Sequence, residues 1–144
     1  LNQKLPELMV EEDKEIAREL YVQDTVSNQV FILVINDPAF NINLLSFDVI
    51  SYNIDNYTNK NYRTEGVLVD NKYITITVSG FRDYPEAFGY YNLFDIEKLI
   101  RNSSKSRMFS FIIGKDNLDV LNKDKNPERY LLFFREHHLK DVKK

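Results

Sequence analysis

Thr64-Glu65-Gly66-Val67-Leu68-Val69, then Asp70-Asn71-Lys72, then Tyr73-Ile74-Thr75-Ile76-Thr77-Val78-Ser79 is the stretch that decides how this chain folds. Its second run alternates: Ile74, Ile76 and Val78 on one side, Tyr73, Thr75 and Thr77 on the other, the period of a strand with two unlike faces. The residues between the runs tolerate the positive φ of a tight hairpin turn. The spacing predicts two antiparallel strands, 64–69 and 73–79.

Outward toward the C-terminus, Asp83-Tyr84-Pro85-Glu86 combines an N-cap acid, a proline in the first turn and a glutamate three residues after the cap, so a helix starts there. Ala87, Tyr90, Tyr91 and Phe94 follow at helical spacing, and the pattern extends through Leu99 and Ile100 to a stop at Asn102-Ser103-Ser104. Met108 to Ile113 reads as a strand closed by Gly114, and Leu118-Asp119-Val120-Leu121 as a short turn. Asn126-Pro127-Glu128 then caps a helix that carries Tyr130, Leu131, Phe133 and Phe134 and ends at His137-His138.

Outward toward the N-terminus, residues 53–61 form a loop of Asn, Tyr and Thr. Before it, 41–55 reads as a helix, with Ile42, Leu45 and Val49 on one stripe, Leu44, Phe47, Ile50 and Ile54 beside it, and Asn41 or Asn43 as cap. Residues 29–35 are continuously apolar up to Asn36-Asp37-Pro38, as expected of a central strand buried on both faces. Pro6 to Tyr21 predicts an amphipathic helix with Leu8, Ile16 and Leu20 on its apolar stripe.

After the first helix the order is strand, helix, strand, strand, helix, strand, helix. This is α+β and ferredoxin-like: a βαββαβ antiparallel four-stranded sheet with extra N- and C-terminal helices. Right-handed crossovers place the first and third strands at the centre and helices 41–55 and 83–100 on one face. The aromatic C-terminal helix is the expected cover for part of the other face. The implied organisation is an N-terminal helix and linker, 1–27, followed by the ferredoxin-like domain, 28–140.

Composition narrows the function classes. With no Cys, disulfides, zinc fingers, iron–sulfur clusters and thiol catalysis are all excluded. A net charge of −3 and a pI near 5.4 argue against nucleic acid, whose phosphates need a basic face. The longest apolar run, Val30 to Ile35, falls far short of the ~20 residues of a membrane-spanning helix, so no membrane contact is expected of this segment. Because the first residue is Leu1, a piece or processed form of a longer protein is expected.

Catalytic and metal-binding patterns are weak. His137 and His138 beside Glu136 are adjacent on a helix, about 100° apart, a poor chelating geometry. They read instead as a basic helix end favoured by the macrodipole. Asp116, Asp119 and Asp124 resemble part of a calcium loop, but counting from Asp116, Leu118 falls on the third position, a ligand, and Leu121 on the sixth, which needs glycine. No G-x-S-x-G elbow, Walker loop or G-x-G-x-x-G is present. Tyr73 could stack a base, yet the consensus of an RNA-recognition module is missing. The expectation is a protein without catalysis, metal or cofactor.

Two surfaces remain as partner-binding candidates. One is the sheet face of Tyr73, Thr75 and Thr77. The other is Arg82, Asp83 and Tyr84 with the loop tyrosines Tyr57 and Tyr62, aromatics of the kind enriched at interfaces.

Several strings together resemble a known family: Val30 to Asp37, a helix leading to Asn53, Ile76-Thr77-Val78-Ser79-Gly80-Phe81 with Ala87 and Tyr90-Tyr91, Phe111-Ile112-Ile113 with Asn117 and Leu121, and Tyr130 to Phe134. Over residues 28–138 the chain resembles the C-terminal domain of the large tetratricopeptide-repeat lipoproteins of Bacteroidota type IX secretion and gliding motility, the SprE/PorW family. Residues 6–21 would then end the preceding helical region. The resemblance implies a non-enzymatic role on the periplasmic side of the outer membrane, with protein partners in the secretion ring or translocon. Tyr73 to Tyr91 also resembles half of a SPOR domain, which implies peptidoglycan binding as the alternative. The long first helix, the Asn/Tyr loop and the extra C-terminal helix depart from that second family.

Overall fold

A computed structural model of the chain describes residues 6–99 and 107–139. Its elements are α1 (Pro6–Leu20), β1 (Gln29–Ile35), α2 (Ile42–Asn56), β2 (Arg63–Val69), β3 (Tyr73–Ser79), α3 (Tyr84–Leu93), α4 (Ile96–Leu99), β4 (Met108–Gly114), α5 (Lys115–Asp124) and α6 (Pro127–His137). The strands form one antiparallel sheet in the order β2-β3-β1-β4. This is the ferredoxin-like arrangement, with the first and third strands central as their hydrophobicity requires.

The contacts divide the chain into two compact units, one of residues 25–115 and one of residues 1–24 with 116–144. The boundary expected at residue 28 thus has a different counterpart: the C-terminal helices group with α1 rather than with the sheet.

In the sheet unit, Phe31, Leu33 and Ile35 lie opposite Val78, Ile76 and Ile74 on one side and Ile112, Ser110 and Met108 on the other. Directly opposed residues share a face. Phe31 meets the rings of Tyr90 and Phe94 at 4.9 and 4.8 Å, so this is the face that carries the helices. The hairpin turn has φ of 56° at Asp70 and 52° at Asn71, both left-handed, as a type I′ turn requires. Asn41 caps α2 by accepting the Leu44 amide, and Asp83 caps α3 by accepting the Glu86 amide, both from positions read as caps.

The helix predicted over 83–100 breaks. Its regular part ends at Leu93, and the Asp95 side chain accepts the Lys98 amide to cap a separate turn, α4. The stop at 102–104 lies outside the described residues. Gly66 shows why α2 can lie close on β2: a Cβ there would fall 2.8 Å from Ser46 Oγ and 2.9 Å from Ile42 Cγ1.

The helical unit is built on aromatic packing between α1 and α6. Tyr21 meets Tyr130 edge-on at 4.9 Å and Phe133 at 5.8 Å. Asn117 ties the segment after α1 to α5, donating to Val22 O and accepting from Val22 N. Arg18 forms a two-point pair with Glu136, which holds the Glu136 carboxyl below its ordinary pKa. Arg129 pairs with Asp124 at 2.6 Å and Asp13 at 3.2 Å.

Two expectations are corrected here. Among the described side chains of α1 and its exit, Ala17 and Tyr21 are buried whereas Ile16 is exposed, because the helix turns its narrow Ala17 side to its aromatic partners. The segment 118–121 is not a short turn but the middle of α5. That helix runs on to Asp124, and Lys125 then turns left-handed at φ 58° with its amide bonded to Leu121 O.

Candidate functional site

On the helix side of the sheet, α2 has two unlike flanks. Leu45, Val49 and Asn53 are buried, one turn apart, toward the sheet. Four further apolar residues face solvent: Leu44 is 55% exposed, Phe47 64%, Ile50 41% and Ile54 62%. On the flank toward α3, the Tyr52 hydroxyl donates to Leu93 O. On the other flank, Ile50 and Ile54 border a cleft of about 280 Å³ whose far wall includes Thr64 of β2 and whose end is closed by Tyr57, Lys60 and Tyr62. β2 is an edge strand of the sheet, and its Val67 and Leu68 are exposed as well.

The floor of the cleft is organised by a buried polar pair. Asn53 accepts a hydrogen bond from the Tyr90 hydroxyl through Oδ1 and donates to Thr64 Oγ1 at 3.4 Å. Around Tyr90 lie the rings of Tyr57 at 5.2 Å, Tyr62 at 5.7 Å, Phe81 at 5.3 Å and Tyr52 at 5.9 Å. Burial pushes the Tyr90 hydroxyl pKa well above its ordinary value, and the neighbouring Tyr52 and Tyr57 add to it. Tyr52 is raised to about 12, chiefly by burial and then by Tyr57. These phenols stay protonated at any ordinary pH and act as hydrogen-bond donors.

Glu86 closes the network. It accepts from Tyr62 at 2.8 Å and pairs with Lys60 at 3.4 Å. Burial alone would raise its pKa, but the Tyr62 hydroxyl and Lys60 outweigh burial and hold it below the ordinary carboxylate value.

The sequence-nominated residues fall in different environments. Tyr73 is only 3% exposed, with the Lys72 ammonium 5.2 Å from its ring centre, so its ring offers almost no surface. Thr75 is half-buried and donates its hydroxyl to Val67 O, and Thr77 is half-buried beside it on the same sheet face. Arg82 is largely exposed, with its guanidinium near Asp83 and Glu86. Tyr84 is half-buried and stacks on Phe88 at 5.7 Å. Tyr57 and Tyr62, grouped in the sequence with Arg82 and Tyr84, turn inward to the cluster around Tyr90.

Leu44, Phe47, Ile50 and Ile54 were visible as an apolar stripe, but their exposure was not. An apolar arc wider than a sheet can cover has to leave one side out, and periodicity does not say which. Asn53 carried a signal of its own: a polar residue one turn beyond Leu45 and Val49 on the buried stripe.

Among the described residues no group of three or more His, Asp or Glu is placed to hold a metal ion, and no helix is long and apolar enough to cross a membrane. Comparison with family models, curated proteins and solved structures finds no match to this chain.

Proposed function

We propose that the chain is a non-enzymatic protein–protein interaction module that works through the α2–β2 edge. The observation that supports this reading is the run of Leu44, Phe47, Ile50 and Ile54 exposed on one helix next to an open sheet edge. Surface patches of that kind mark interaction sites more often than they occur by chance on a monomer. Following the resemblance of residues 28–138, the setting is a periplasm-facing outer-membrane lipoprotein that helps connect components of the type IX secretion and gliding machinery. Exposed Arg82, with half-buried Tyr84 beside it at the start of α3, is a second place for a protein partner to contact.

The alternative is glycan binding of the SPOR type, favoured by the shared βαββαβ order. One experiment separates the two. Tagged chain is incubated with periplasmic extract and, separately, with denuded peptidoglycan. Enrichment of secretion-ring or outer-membrane components that is lost in Phe47→Asp supports the interaction reading. Sedimentation with peptidoglycan, unchanged in Phe47→Asp, supports the glycan one and refutes ours.

A further inference from the structure

We propose that the occupant of the α2–β2 edge is a second copy of this chain, paired β2 to β2 in antiparallel register about a two-fold axis at Thr64. The inference rests on the interaction reading of that edge and adds to it the partner and the register.

Charge selects the register. Arg63 and Glu65 flank Thr64, and both point to the sheet face opposite α2, since Thr64 and Gly66 face the helix. With the axis at Thr64, Arg63 of one copy stands directly across from Glu65 of the other, and the pair occurs twice. Moving the axis one residue either way sets Arg63 against Arg63 or Glu65 against Glu65. Directly opposed unlike charges stabilise antiparallel strands and like charges destabilise them. A two-fold interface must be self-complementary, and this edge is.

The helix side agrees. Ile50 shares the cleft with Thr64, so an axis at Thr64 brings the two α2 helices together near Ile50, with Phe47 and Ile54 a turn to either side. Ile50 and its neighbours Phe47 and Ile54, the part of the exposed stripe on that side, are covered by their own image. No Pro, Lys or bulge interrupts the free edge of β2, and its charges, Arg63 and Glu65, are the ones that pair across the axis.

The absence of Cys makes the test clean. Opposed residues of an antiparallel pair approach within disulfide reach. Thr64→Cys should therefore give a disulfide-linked dimer on mild oxidation, and Asp70→Cys, at the hairpin turn, should not. Sedimentation equilibrium supplies an independent arm. The unmodified chain should dimerise, Arg63→Glu should weaken the dimer by about tenfold or more, and the double exchange Arg63→Glu with Glu65→Arg should restore it. A chain that stays at its 17.1 kDa monomer mass at every concentration overturns the proposal, as does a double exchange no better than the single one. If the chain is monomeric while Phe47→Asp still abolishes capture of a secretion component, the second copy is refuted and the interaction reading stands.

Discussion

The two compact units handle their apolar side chains differently. In the helical unit, Tyr21, Tyr130, Phe133 and Phe134 are buried, and among the described residues the exposed large apolar ones are the scattered Val10, Ile16 and Val22. Its rim is closed by ion pairs, Arg18 with Glu136 and Arg129 with Asp13 and Asp124. The sheet unit buries an equally aromatic interior, yet leaves four large apolar residues in line on α2. Among the described residues of the sheet unit Val26 and Leu93 are exposed too, but each stands singly in the sequence, whereas the row on α2 lies beside the β2 edge. Single exposed apolar residues need no explanation, whereas a contiguous row does.

The sharpest way to break this contrast is to cut a large side chain on each side of it. Phe133→Ala in the helical unit should cost about 3–5 kcal/mol in chemical denaturation. A loss under about 1 kcal/mol would mean that the aromatic cluster there is not a packed core.

Acid should also act on the helical unit. His138 is buried against Phe134, and burial first, then His137, lower its pKa from 6.5 to about 4, with Asp24 opposing. Between those values the unfolded chain binds the proton and the folded one does not, so stability falls as pH drops through that window. The loss approaches about 3 kcal/mol at the lower end. Melting curves from pH 7 to 4.5 should show the decline, and His138→Phe should flatten the part due to this residue. An identical decline in that variant would contradict the assignment.

Within the sheet unit, Tyr90→Phe removes the hydroxyl that Asn53 Oδ1 accepts and leaves a buried acceptor short of a partner. The expected cost is about 1–3 kcal/mol by denaturant titration, and a neutral result would show that the pair does not hold the cleft floor. The smallest effect belongs to the exposed stripe. Phe47→Asp should leave stability within about 0.5 kcal/mol of the parent. A large destabilisation would mean that Phe47 is covered within the chain and that the row is not an open surface.

Much of the fold was legible because it is written locally. The hairpin declares itself through the alternation of 73–79 and the turn residues Asp70 and Asn71, and α3 through Asp83, Pro85 and Glu86. What escaped depended on distant partners. Whether Ile16 or Ala17 of α1 is buried is decided by α6, more than 100 residues later in the chain. The recapping of the chain by Asp95 interrupts an apolar pattern that reads as continuous. The site was half legible: the stripe on α2 and the tyrosines of the loop could be named, but not that Phe47 faces solvent while Tyr57 and Tyr62 surround Tyr90. Tyr73 shows the converse, an aromatic on the polar side of an alternating strand that the fold nonetheless buries.

The claim that the α2–β2 edge pairs with a second copy of the chain is tested most directly by hydrogen exchange at the backbone amides of residues 63–66 as a function of protein concentration. Protection there should rise with concentration while the amides of β1 stay constant, and Phe47→Asp should abolish the rise. Exchange at 63–66 that is the same at every concentration, in the parent and in Phe47→Asp alike, would contradict it.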